Sequence, residues 1–141
     1  MREILFRGKR KNNEEWVHGA VWCNPYGKRV VCLDSTINNQ GTRGGNEVDT
    51  ETVGQYTGFT DKNGAKIFEG DILAFDDMDG SKGIYEVFYD GNNGKFAISG
   101  SGNINYVDDF ELFEELLERN EYFKWFTVIG NIYDSPELLK E

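Results

Sequence analysis

Turn-forming clusters interrupt this chain at intervals of roughly ten to fifteen residues, which is the rhythm of short strands rather than of long helices. The clusters are rich in Asn, Asp and Gly: Lys9 to Glu14, Asp61-Lys62-Asn63-Gly64, Asp76-Asp77-Met78-Asp79-Gly80 and Asp90-Gly91-Asn92-Asn93-Gly94. Between them apolar residues alternate with polar ones. In Arg2 to Gly8, Ile4 and Phe6 take one side while Leu5 and Arg7 take the other. In Glu15 to Trp22, Trp16, His18 and Ala20 share a face opposite Val17 and Val21. A chain of 141 residues buries roughly two thirds of its unfolded surface and needs no covalent staple.

The same reading predicts strands at 29–33, 52–57, 66–69, 72–75, 84–89, 95–99 and 126–133. Asn63-Gly64 suits the positive φ of a type I′ turn. Residues 35–50, with Gly41, Gly44, Gly45 and several Asn but few large apolar residues, read as a mobile loop. One helix is expected over 108–120. Asp108 with Glu111 forms a capping box, and Phe110, Phe113, Leu116 and Leu117 form an apolar stripe. Ser135-Pro136 starts a terminal turn whose Leu138 and Leu139 pack back. The expected fold class is mainly β (β-rich α+β). It joins an N-terminal β-hairpin subdomain with its loop (1–50) to a small barrel-like subdomain (51–141), or forms one continuous domain.

Composition excludes several chemistries. Two cysteines and one histidine leave little for metal or thiol chemistry. No apolar run approaches the ~20 residues of a membrane span, and the N-terminal residues lack a signal-peptide apolar stretch, so a cytoplasmic chain is expected. Cys23 and Cys32 flank an expected hairpin tip and would pair only in an oxidising compartment. The favoured account is two small half-buried thiols. The net charge of −10 is uneven. Residues 1–33 hold seven Lys/Arg against three Glu, whereas residues 34–141 hold eight against twenty-two acids. The acidic body disfavours binding to a phosphate backbone or an anionic membrane.

Several groups invite a sharper reading. Arg7, Lys9, Arg10 and Lys11 beside Phe6 and Trp16 resemble a single-strand binder; a solvated hairpin tip is the plainer account. Gln55, Tyr56 and Thr57 could line a groove, although Gly54, Gly58, Gly64 and Gly70 beside them are most simply structural. The helix face bearing Glu111, Glu114, Glu115 and Glu118 is a solvated surface or a phosphate mimic. Setting Gly80 at the sixth position of a calcium loop places Asp77, Asp79 and Glu86 well, yet puts Phe75 where an oxygen ligand belongs. An acidic turn is therefore favoured. His18 stands alone, without the converging ligands a metal needs or the partners a general base needs.

Three stretches together resemble the YopX-like family of phage and prophage proteins. They are Met1 to Gly8 with Glu15-Trp16-Val17, the run ETVGQYTGFTDKNGAKIFEGDI from Glu51 to Ile72, and Val128-Ile129-Gly130-Asn131-Ile132-Tyr133 with Pro136-Glu137-Leu138-Leu139. The resemblance implies a soluble, phage-encoded, mostly β protein and brings no known reaction. The Gly70-Asp71-Ile72 entry into successive strands, with a helix before the last strand, is also similar to a small Src-homology-3-like barrel. Fold alone does not fix function.

The expected function is therefore a non-enzymatic phage accessory module that binds a protein, with no cofactor. Its candidate surface is Arg7, Lys9, Arg10, Lys11, Trp16, Gln55, Tyr56, Glu111, Glu114, Glu115 and Glu118. The alternatives are a nucleic-acid-binding barrel using the basic hairpin, an acidic nucleic-acid mimic aimed at a host protein and, ranked last, an enzyme with a carboxylate-only site. Exposed strand edges further suggest a homo-oligomer.

Overall fold

The computed structural model describes residues 3–24, 29–37, 43–76, 82–92, 94–100 and 126–139. Among the described residues ten strands run in chain order: β1 Phe6–Lys9, β2 Trp16–Asn24, β3 Arg29–Ile37, β4 Arg43–Val48, β5 Gly54–Thr60, β6 Lys66–Phe68, β7 Asp71–Asp76, β8 Lys82–Asp90, β9 Lys95–Gly100 and β10 Phe126–Asn131. Short 3-10 turns occupy Thr50–Thr52 and Pro136–Leu139. One sheet has the order β4-β3-β2-β1-β5-β6 and the other β10-β7-β8-β9. The mainly β class holds. Among the described residues neither sheet closes into the small barrel expected from the sequence; β10 and β9 are the outer strands of an open four-stranded sheet. The expected helix at 108–120 lies outside the described residues. The chain divides into two compact units, residues 1–56 and 57–141.

In the first unit, β1 and β2 form the expected hairpin, pairing Arg7 with His18 and Lys9 with Trp16. Glu14 turns the tip with a φ of 60°. Asn13 Oδ1 accepts the Glu15 amide at 3.0 Å. The expected loop at 35–50 is largely strand, because β3 extends to Ile37 and β4 begins at Arg43. Its main-chain ladder to β3 needs no run of apolar side chains, so composition concealed it. Val48, at the end of β4, is fully buried against Val17, Val21 and Val53. The sheet curls enough for this end to meet β1. Arg10 bridges Val48, the Lys11 amide donates to Glu47 O at 3.2 Å and the Asp49 amide to Lys9 O at 2.8 Å. Gly8 permits the approach, since a Cβ there would sit 3.0 Å from the Val48 side chain. The register sets Cys23 opposite Val30 and Cys32 opposite Val21. The cysteines are thus diagonal rather than facing, and Cys23 is exposed rather than half-buried.

The second unit is built on Ile67, Leu73, Val87, Ile98 and Phe126, with Phe59, Phe75, Tyr85, Phe96 and Val128 packed around them. Phe75, Tyr85 and Phe126 make mutual ring contacts at 5.3 to 6.5 Å between centroids. Two buried carboxylates organise the turns. Asp61 is only 4% exposed. Its Oδ1 accepts the amides of Asn63 (2.8 Å) and Ala65 (2.9 Å), and its Oδ2 accepts that of Val128 on β10 (2.9 Å). Only Gly64 in this turn has positive φ, at 83°, so the turn is not type I′, which requires two consecutive positive values. Asp71 Oδ2 accepts the Phe68 amide at 2.8 Å and closes the step from β6 to β7. Gly70, with φ of 87°, donates to Val87 O and accepts from the Ile132 amide, both at 2.8 Å. Of the four central glycines read as conformational, Gly58, Gly64 and Gly70 have positive φ, whereas Gly54 does not. Gly54 is instead a buried strand residue opposite Arg7. The C-terminal turn packs back as expected, with Leu138 seated over Gly130.

Candidate functional site

The basic cluster separates into two environments. Arg7 and Lys9 point to the same face of the β1–β2 hairpin as Trp16, because residues opposite or two apart in a sheet share a face. The Arg7 guanidinium lies 4.6 Å from the Trp16 ring centroid and the Lys9 ammonium 5.8 Å, both within cation–π range. Arg7 is only 8% exposed, so its charge is tucked against the indole rather than presented to solvent. Arg10 and Lys11 sit at the hairpin tip instead. Arg10 lies 4.0 Å from the Glu15 carboxylate and Lys11 lies 3.5 Å from that of Glu47. A shallow groove of about 220 Å³ opens there, lined by Arg10, Lys11, Asn12, Gly45, Asn46 and Glu47.

Gln55 and Tyr56 stand at the start of β5. Gln55 is half-buried opposite Phe6. Tyr56 is 7% exposed, and its amide donates to Leu5 O at 2.8 Å. Thr57 is buried as well. Its hydroxyl donates to Ile67 O at 2.8 Å and accepts the Phe59 amide at 3.3 Å, which is a structural use of the side chain. The acidic-helix residues Glu111, Glu114, Glu115 and Glu118 lie outside the described residues, as do Asp77, Asp79 and Gly80 of the calcium reading. Glu86, the remaining candidate of that reading, stands mid-strand opposite Ile72 and Ser99. Partial burial raises its pKa. Among the described residues, no three His, Cys, Asp or Glu side chains converge as metal ligands would. No described helix is long and apolar enough to cross a membrane.

Trp22 was not singled out in the sequence reading, though the alternation that put Trp16, His18 and Ala20 on one face of β2 leads directly to it. Trp22 is 53% exposed, and His18 and Ala20 beside it on the same face are also exposed. Trp16 is thus half-buried against Arg7 and Lys9 of β1, whereas Trp22 stands exposed on the same face of β2.

The sequence profile of the YopX protein family matches residues 5–140. The chain belongs to the YopX family. No curated protein matches it. Among solved structures, protein EF1440 from Enterococcus faecalis is similar in fold, with a TM-score of 0.58 and 23% sequence identity over 99% of this chain and 100% of that one. The run Glu51 to Ile72 contains Asp61, Gly64, Gly70 and Asp71, which the structure employs in turns and in the core. That run marks architecture, whereas the exposed indole and its neighbours lie on β2.

Proposed function

We propose that this YopX-family chain is a phage or prophage accessory module that acts in the host cytoplasm by binding a protein rather than by catalysis. The observation that carries the reading is the exposed Trp22 on an outward strand face shared with Trp16, His18 and Ala20. Exposed, rigid aromatic side chains are the residues that most often dominate protein interfaces. The nucleic-acid reading has less support. Its Trp16 platform lies against Arg7, and two of its four cations, Arg10 and Lys11, stand beside carboxylates. The direct experiment immobilises the full chain and passes bacterial lysate over it at low salt. A specific protein retained over a blank resin is expected, and no specific retention contradicts the reading.

A further inference from the structure

We propose that Asn63 is a site of spontaneous deamidation, and that its isoaspartyl product releases the Asp61 anchor between the β5–β6 turn and β10. Asparagine is among the thermolabile residues, because its side-chain carbonyl is open to attack by the amide nitrogen of the next residue. A glycine in that next position leaves the nitrogen unshielded. Asn63 and Gly64 are both exposed. A Cβ at Gly64 would meet no atom within 4 Å, so the turn has room for the ring that forms. The Gly64 amide donates to Asp61 O at 3.0 Å. That bond must open before the nitrogen attacks, so the folded turn slows the reaction relative to an unfolded peptide.

The reaction balances with water alone. The Gly64 nitrogen bonds to Asn63 Cγ as the Cγ–Nδ2 bond breaks, and ammonia leaves with the amide proton. Water then opens the succinimide ring. Opening at Cγ gives aspartate. Opening at the main-chain carbon gives isoaspartate, whose main chain runs through Cβ and Cγ and is longer by a methylene. That methylene falls inside a closely fitted turn. Asp61 Oδ1 accepts the Ala65 amide at 2.9 Å, and the Asp61 amide donates to Ala65 O at 2.8 Å. Both bonds close across residue 63. The same side chain holds β10, since Asp61 Oδ2 accepts the Val128 amide at 2.9 Å, and the adjacent Lys62 amide donates to Phe126 O at 3.1 Å. A displaced Asp61 therefore loosens β10 as well as the turn. Aspartate at position 63 leaves the main-chain spacing unchanged, and its added charge is exposed and screened. The isoaspartyl linkage, rather than the charge, is what destabilises the chain.

The test incubates the full chain at mildly alkaline pH beside a peptide of residues 58–68. Digestion and mass spectrometry separate Asn63 from the other Asn-Gly pair, Asn93-Gly94, and isoaspartyl methyltransferase labelling counts the isomer. Conversion of Asn63 in the folded chain is expected, more slowly than in the peptide. The isoaspartyl fraction, isolated by anion exchange, should melt several degrees below fresh protein. Fresh Asn63→Asp should melt close to wild type, and Asn63→Gln should keep its midpoint through the same incubation. Asn63 still intact when the peptide has fully converted overturns the site. An isoaspartyl fraction with the wild-type midpoint, or an equal loss in fresh Asn63→Asp or incubated Asn63→Gln, overturns the link to the Asp61 anchor.

Discussion

Two charged turns look alike in the sequence and differ in the folded chain. The tip from Lys9 to Glu15 belongs to the first unit, and Asp61-Lys62-Asn63-Gly64 belongs to the second. At the first tip, Arg10 and Lys11 reach Glu15 and Glu47 across solvent-exposed geometry. Such pairs contribute little, because water and salt screen them and long side chains must be ordered. At the second, one buried carboxylate accepts three backbone amides, including one from a residue 67 positions away. Charge-assisted bonds in a dry site are strong, and removing the acceptor leaves amides unsatisfied. Burial, rather than charge, separates a surface decoration from an anchor.

The largest expected effect sharpens this contrast. Asp61→Ala should destabilise the chain by about 3 kcal/mol, since three amides lose a charged acceptor. Urea unfolding measures it, and a loss no larger than that of an exposed pair would erase the distinction between the turns. Gly70→Ala comes next, at about 2 kcal/mol. Its φ of 87° is strained for alanine, and the new Cβ would lie 3.0 Å from Tyr133 Cε2. A thermal midpoint within a degree of wild type would contradict that assignment.

Glu86 gives a smaller, pH-dependent effect. Burial raises its pKa, so the folded state holds the proton more firmly than the unfolded chain does. The stability linked to this proton is present at acidic pH and lost as pH rises through the raised folded pKa. Glu86→Gln should therefore match wild type at acidic pH and melt slightly higher at neutral pH. Paired melts at the two pH values check it, and a variant less stable at neutral pH would reverse the sign. Smallest of all, Lys11→Ala should change stability by less than about 0.5 kcal/mol. A loss comparable to that of Asp61→Ala would show that the surface tip is also an anchor.

Most strands are legible in the sequence because turn residues bracket alternating runs, and β1, β2 and β7 to β10 fall within a few residues of expectation. Strand β4 is not. Arg43 to Glu47 offers no apolar alternation, and Val48 is the residue that enters a core among its described side chains. Its place depends on the main-chain ladder to β3 and on the bare Cα of Gly8, neither of which leaves a local signal. Asp61 is similar. The turn can be read from Asp61 to Gly64, but the bond to Val128 requires β10 to arrive from a distant part of the chain. On the candidate surface, the pairing of Arg7 and Lys9 with Trp16 follows from hairpin register. Tyr56, read from the sequence as a residue that could line a groove, is buried. Trp22 needed only the β2 alternation carried one step further.

The anchors of the second unit hold a fold, whereas the outer face of β2 presents an exposed indole. The measurement that tests this division most directly is the retention of the lysate protein by Trp22→Ala, taken on protein whose melting midpoint is also recorded. Retention weaker by about fivefold or more with an unchanged midpoint is the predicted result. Wild-type retention, or a collapse in stability, would contradict it.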